Sequence, residues 1–383
     1  MDIQTRQTRI HVRVQGEGEL ALVFLHYWGG SSRTWDAVTG ALSDTCRTVA
    51  LDQRGWGESE APAQGYAIAD LADDAQDVIE ALKLTRYVIV GHSMGGKVAQ
   101  LLAARQPAGL AGVVLVAPSP PSPMAFPLEQ REAMAAAYAT RASVEAVLDH
   151  VLTARPLTPA QREQVIADSL CGAAPAKAAW PMAAMLEDIT REVASIRVPV
   201  LVVAGEADQV DRLDTLQREL LPRIAGARLQ VLPGTGHLSP LEAPAEVAAA
   251  VRAFVAGLDA PRSPEQVPVA FDAAFNAGDL DRLIGVFSEH ATMRMADGTT
   301  VAHGREALRA AFARLLETKP QIRNDVRLTL VSDDLALVLL DWTTTATAPD
   351  GQPLTQRGTA TQVMTRDAAG IWTLRISNPP GVQ

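Results

Sequence analysis

Gly91-His92-Ser93-Met94-Gly95 follows the apolar run from Tyr87 to Val90 and runs directly into a helical pattern. A serine on such a strand-to-helix turn is forced into a strained, exposed backbone geometry, and glycines two residues either side leave room for the crowded chain. Its hydroxyl is a weak nucleophile, so it needs a base within hydrogen-bond reach and an acid that orients the base. Among seven histidines, His237 has the right setting, in a glycine-bearing loop (Leu232-Pro-Gly-Thr-Gly-His237) just past the apolar segment from Arg228 to Leu232. Asp208 follows the run from Val200 to Val203, so it stands on the same rim as Ser93 and His237. Glu206 and Asp211 share its loop, and Asp208 is taken as the acid. The chain order Ser, Asp, His is the one expected for a parallel sheet carrying this turn. His92, His26 and His11 read as structural or surface residues.

An attacked carbonyl develops negative charge that must meet fixed donors. One is the amide of Met94, at the start of its helix, where the dipole favours an anion. The other comes from the loop His26-Tyr-Trp-Gly-Gly-Ser31, where Trp28 is the best-placed donor. Tyr27 and Trp28 have an alternative role, narrowing the acyl pocket.

The elements that must position these groups are legible in the spacing. Residues 9–14 alternate as a half-exposed edge or early hairpin strand. The runs at 20–25, 48–51, 87–90, 113–116 and 200–203 are continuously apolar, which implies strands buried on both faces. Helical stripes lie between them, at 69–83 and 95–105 among others, so a mostly parallel sheet covered on both sides follows. Residues 119–192 carry several helical segments and no strand, as a helical insertion over the sheet edge would. Met124, Phe126, Met134, Tyr138, Trp180, Met182 and Met185 are its candidate pocket residues, of which Phe126, Tyr138 and Trp180, with Tyr27, are assigned to substrate.

This first unit is expected to span residues 1–258. Two prolines within Asp259-Ala-Pro-Arg-Ser-Pro264 oppose a continuing helix, so 259–263 is read as a linker. From 264 to 383 helices come first, at 268–275, 280–287 and 305–317, with a short hairpin around Asp297-Gly298 between the last two. Long alternating strands follow at 324–332, 335–347, 354–366 and 371–377, separated by turns that include Pro349-Asp-Gly351 and Ala368-Ala-Gly370. This is a separate α+β unit.

Taken together, Gly91-His-Ser-Met-Gly95, Asp52-Gln-Arg-Gly-Trp-Gly-Glu-Ser59, Gly205-Glu-Ala-Asp208 and Gly236-His237 resemble the α/β-hydrolase family, in particular its small bacterial esterases, lactonases and cofactor-free haloperoxidase-like members. The resemblance implies an α/β fold with a mostly parallel α/β-hydrolase sheet and a helical cap, and an acyl-enzyme mechanism with catalytic Ser93, Asp208 and His237. Dehalogenases and epoxide hydrolases of this fold need an aspartate where Ser93 stands. Residues 264–383, through Ala273-Ala-Phe-Asn-Ala-Gly-Asp279, His303-Gly-Arg-Glu-Ala307 and Ile371-Trp-Thr-Leu-Arg-Ile-Ser-Asn-Pro379, resemble the cone-shaped α+β fold of nuclear transport factor 2, ketosteroid isomerase and the SnoaL-like cyclases. Catalytic members of that fold use carboxylates inside the cone. Here Asp297 reads as a turn residue and Asp272 as a helix surface charge. Either Asp341 or Trp342 must face inward. Related sequences often carry an aspartate where Ser377 stands, so binding or dimerisation is the expected role.

Composition sets the outer bounds. The 383 residues are 48% apolar and 20% charged, which suits a folded core. The net charge of −10, with no basic block, disfavours nucleic acid and anionic membrane as partners. The start of the chain has no apolar signal core, so the expected location is the cytoplasm. Cys46 and Cys171 lie far apart and without neighbouring ligands, so neither a disulfide framework nor a metal site is expected, and no cofactor is called for. The expected function is hydrolysis of a small apolar ester or lactone, with a homodimer through the second unit as a possible assembly. The alternatives are a small-lipophile-binding or isomerase module in the second unit, and perhydrolysis at the same triad.

Overall fold

The computed structural model describes residues 1–295, 298–347, 352–368 and 370–381, except for the side chains of 347 and 353. The chain divides into two compact units, Met1–Leu258 and Asp259–Gln383.

The first unit is built on strands β1 (Asp2–Gln4), β2 (Arg9–Gln15), β3 (Ala21–Leu25), β4 (Arg47–Leu51), β5 (Tyr87–His92), β6 (Leu110–Val116), β7 (Val200–Gly205) and β8 (Arg228–Leu232). They form one sheet in the order β1-β2-β4-β3-β5-β6-β7-β8. Pairing is antiparallel at β1-β2 and β2-β4 and parallel from there on. The continuous apolar runs serve two cores at once. Leu22 and Phe24 of β3, with Val88 and Val90 of β5, enter one buried cluster, while Val23, Leu25, Tyr87 and Ile89 enter the cluster on the opposite face. Each such fully buried side chain contributes about 1.5–3 kcal/mol over its exposed state. The helix Ile68–Ala81 buries Leu71, Ala75, Val78 and Ile79 against the second of these clusters, as its stripe requires.

Between β6 and β7 the chain leaves the sheet for helices at Leu128–Ala136, Arg141–Val147, Pro159–Cys171 and Ala174–Met182. β2 is not an edge: β1, three residues long and unforeseen in the sequence, forms a hairpin with it through Ile3 opposite Ile10.

The second unit carries helices Gln266–Ala277, Leu280–Gly285 and Gly304–Leu316 against strands β9 (Phe287–Arg294), β10 (Val301–His303), β11 (Gln321–Ser332), β12 (Leu335–Thr347), β13 (Pro353–Arg366) and β14 (Trp372–Asn378). The sheet order is β10-β9-β14-β13-β12-β11, antiparallel except for β14-β9. Phe271, Phe275, Phe287 and Phe312 meet in its core, with ring centroids 5.7–6.4 Å apart. The helix expected over 280–287 stops at Gly285, and an eight-residue strand takes over, because Phe287–Arg294 finds a long-range partner in β14. Asp272, expected as a helix surface charge, is instead half-buried and accepts from the backbone amide of Asn324 at 2.8 Å, tying its helix to β11. Burial pushes its carboxyl up to about 6. Trp342 is half-buried and donates from Nε1 to the Pro379 carbonyl, whereas Asp341 is exposed and accepts from the Thr359 hydroxyl. Asp297 and Pro349-Asp-Gly351 lie outside the described residues, as does Ala369 of the last expected turn.

Candidate active site

Ser93 closes β5 with φ 51° and ψ −114°, a left-handed backbone for a non-glycine residue. The glycines beside it are there for space. A Cβ on Gly91 would sit 2.3 Å from the Gly95 carbonyl oxygen, and one on Gly95 would sit 2.5 Å from that of Leu25 and 2.6 Å from that of His26. The turn therefore presses directly on the loop that follows β3. Ser93 is 5% exposed, and its amide donates to the Val116 carbonyl, which fixes it to the end of β6. The helix Met94–Ala104 begins at the next residue.

Asp208 sits past β7. Its Oδ1 accepts from the amides of Val210 at 2.8 Å and Asp211 at 3.1 Å, and its Oδ2 lies 2.9 Å from His237 Nδ1. The loop bearing His237 is held on two sides. The Ala207 amide donates to Thr235, and Glu242 Oε2 accepts from the amides of Gly236, Ala154 and Arg155, which couples the loop to the helical insertion.

The electrostatics follow from burial. Burial alone would lower the His237 pKa, but the adjacent Asp208 charge outweighs it and the imidazole is raised above its ordinary value. Burial works to raise the Asp208 carboxyl, and the bonded imidazole brings it below the usual value instead. His92 and His26 are both lowered, by burial first, and both are structural. His92 Nε2 meets the His237 carbonyl oxygen, while His26 Nδ1 meets its neighbour Tyr27's carbonyl and Nε2 accepts from the Gln53 amide.

Trp28 is buried, with its indole donating to the Lys177 carbonyl and its own carbonyl accepting from the Tyr138 hydroxyl at 3.1 Å. Neither the Trp28 nor the Met94 amide donates within the chain among the described residues. The Tyr138 ring packs tilted against that of Trp28, centroids 4.3 Å apart, and Trp180 joins the same buried cluster. Tyr27 packs with Leu148, Leu152, Val165 and Leu238 and lies 5.1 Å from the His92 ring. Phe126 stands exposed and is not brought among these aromatics.

In its present orientation the Ser93 hydroxyl bonds Asp211 Oδ2 at 3.4 Å, and no hydrogen bond joins it to His237. Asp211 shares the loop of Asp208, but nothing in the letters distinguished it as a contact of Ser93. Three further groups support these loops, and of them only Asp52 lies in a motif that the sequence singles out. Asp168 in the insertion accepts from Ser31 Oγ and pairs with Arg33, and so pins the loop of Trp28. Asp52 accepts from the amides of Ser32 and Glu58, bracing the same loop from below. Ser119, past β6, donates from its amide to the Ser93 carbonyl. Among the described residues no cluster of three or more His, Cys, Asp or Glu side chains could hold a metal ion, and no helix is long and apolar enough to cross a membrane.

Residues 22–250 match the model of the alpha/beta hydrolase family, well over half of the chain. The chain belongs to the α/β hydrolase family. Residues 269–373 of this α/β hydrolase match the SnoaL-like domain. A relative named non-heme chloroperoxidase, from Streptomyces lividans, is 32% identical over 237 residues, covering 57% of this chain and 85% of that protein. The enol-lactonase from Burkholderia xenovorans LB400 is similar in structure with a TM-score of 0.60 and 27% identity, over 67% of this chain and 99% of that one. Est816, described as an N-acyl homoserine lactone degrading enzyme, matches with a TM-score of 0.59 and 30% identity, over 66% of this chain and all 100% of that one. The relatives of this α/β hydrolase support hydrolase activity for it.

Proposed function

We propose that this hydrolase cleaves apolar carboxylic esters or lactones through an acyl-enzyme on Ser93. The observation that carries the reading is the 2.9 Å contact between His237 Nδ1 and Asp208 Oδ2, buried at the sheet rim where Ser93 holds its left-handed turn. With Nδ1 committed to Asp208, Nε2 is the nitrogen left for the serine proton. Ser93 Oγ, rotated from Asp211 toward His237, attacks the carbonyl carbon and its proton passes to Nε2. The carbonyl oxygen becomes an oxyanion received by the amides of Met94 and Trp28. Collapse expels the alcohol, which takes the proton from His237. Water then repeats the sequence on the acyl-enzyme and frees the acid. Trp28, Tyr138 and Trp180 give the acyl group an apolar wall. The lactone-cleaving names among the structural neighbours favour a lactone over an open ester.

A short p-nitrophenyl ester and a panel of lactones test this with native protein and Ser93→Ala. The variant is expected to lose roughly a thousandfold or more in turnover; equal turnover in the two would reject the reading. The chloroperoxidase relative favours a second reading, in which hydrogen peroxide replaces water on the same acyl-enzyme and yields a peracid that oxidises halide. Halogenation in acetate with peroxide, dependent on Ser93, is its expected signature.

The second unit pairs two copies of the chain. Leu328, Leu330, Leu337, Leu339, Val363 and Ile376 share the outer face of its sheet by register, and four of them are more than 40% exposed. A contiguous apolar face of this kind supports an association surface.

A further inference from the structure

The acyl-transfer reading leaves one buried carboxyl at the site without a task. Asp211 is 1% exposed. Its Oδ2 accepts from two hydroxyls that arrive from different strand ends, Ser93 Oγ after β5 at 3.4 Å and Ser119 Oγ after β6 at 3.2 Å. Its Oδ1 is buried without a hydrogen-bond partner. The arrangement is built rather than incidental, because the Ser119 amide also donates to the Ser93 carbonyl, at 3.1 Å.

A carboxylate in this position acts on Ser93 in two ways. It holds the Oγ–H as a charge-assisted donor, and a donor committed to Asp211 is not delivered to His237. It also sets a negative charge beside the place where the oxyanion must form, in surroundings too dry to screen it. A neutral carboxylic acid does neither. The charged groups facing Asp211 come from three elements: Asp208 on its own loop, His237 after β8 with Glu242 beyond it, and Lys97 on the helix behind Ser93. Lys97 is itself occupied, donating from Nζ to the carbonyls of Glu187 and Ser122. Resting on the acyl-enzyme reading, we propose that Asp211 is a positioning residue for the nucleophile: ionised, it holds the Ser93 hydroxyl away from His237; protonated, it releases the hydroxyl for transfer to the imidazole.

Burial, with the Asp208 charge in support, outweighs the pull of His237 and the two hydroxyls and pushes the Asp211 carboxyl up to about 7. The exchange between the two forms therefore falls in the neutral range, and kcat/KM acquires an alkaline limb that a Ser-His-Asp triad alone does not need.

The test is the pH profile of ester hydrolysis from 5.5 to 9.5 for the full chain and three variants. Native kcat/KM is expected to fall about tenfold or more between pH 7 and 9. Asp211→Asn cannot ionise and keeps its pH 7 value at pH 9. Ser119→Ala removes one donor to the carboxylate, raises the Asp211 pKa and moves the limb to higher pH by about half a unit or more. An alkaline limb unchanged in Asp211→Asn overturns the inference; if that variant is inactive at every pH or unfolded, an unmoved limb in Ser119→Ala overturns it and a limb moved upward sustains it. Ser93→Ala, run alongside, separates the failures. Turnover surviving in it sinks the acyl-enzyme reading, whereas its loss together with an unchanged limb in the other variants sinks only the role of Asp211.

Discussion

His92 Nε2 lies 2.8 Å from the carbonyl oxygen of His237, so the residue preceding the proposed nucleophile clamps the backbone of the proposed base. Burial and the neighbouring imidazole hold His92 well below its ordinary pKa, so the ring is neutral and Nε2–H is the donor. Its ring packs 5.2 Å from His237, 5.1 Å from Tyr27 and 5.9 Å from Trp35, which leaves it no freedom to turn away. Two distant loops are thereby set in register by a residue that takes no proton itself.

His92→Phe keeps the ring's bulk and removes the donor. The His237 carbonyl is then buried without a partner, at a cost of about 1–3 kcal/mol. Thermal melting should fall accordingly, and kcat should drop about tenfold with KM little changed, since what is disturbed is base placement rather than substrate contact. An unaltered kcat in a well-folded variant would show that the clamp has no bearing on turnover.

Gly95→Ala puts a methyl group against the carbonyl oxygens of Leu25 and His26, neither of which can retreat without moving the loop of Trp28. Overpacking of this kind costs about 1–3 kcal/mol. The expected result is a lower midpoint in denaturant together with a loss of turnover larger than stability alone explains. Wild-type kinetics in this variant would mean that the loop does not supply an oxyanion donor.

Turnover should fall in acid, because in the proposed mechanism His237 takes the serine proton only while its imidazole is neutral. Asp208 raises the imidazole pKa, so activity is lost as pH drops through a value above 6.5 rather than below it. Asp208→Asn removes that charge, moves the acid limb downward and lowers kcat by roughly a thousandfold or more through loss of orientation. The comparison requires only kcat/KM against pH for the two proteins, and a limb that stays in place speaks against Asp208 as the acid.

Leu337→Arg sets a charge in the middle of the outer sheet face of the second unit, opposite Leu330 and Val363. In light scattering the native chain should run as a dimer and the variant as a monomer, with ester turnover per chain unchanged. Identical masses for the two would remove this face as the pairing surface.

Much of the first unit is legible in the letters because its determinants are local. Apolar runs mark β3, β5, β6 and β7, since strands covered on both faces can tolerate little else. Gly91 to Gly95 mark the turn, since a left-handed serine crowded by neighbouring backbone needs glycine beside it. The pairing of β9 with β10 fits the short hairpin expected between the second and third helices, but the start of β9 at Phe287 was hidden, because its partner there, β14, lies some eighty residues further along and its own alternation is weak. The division of labour between Asp208 and Asp211 belongs to the tertiary structure alone. Both stand in one loop three residues apart, and it is the Asp208 Oδ1 bonds to the amides of Val210 and Asp211 that send one carboxyl to His237 and the other to Ser93. Asp168 and Glu242 were equally silent, because their hydrogen-bond partners, 137 and 88 residues away, are fixed by how elements pack, and no local pattern encodes that distance.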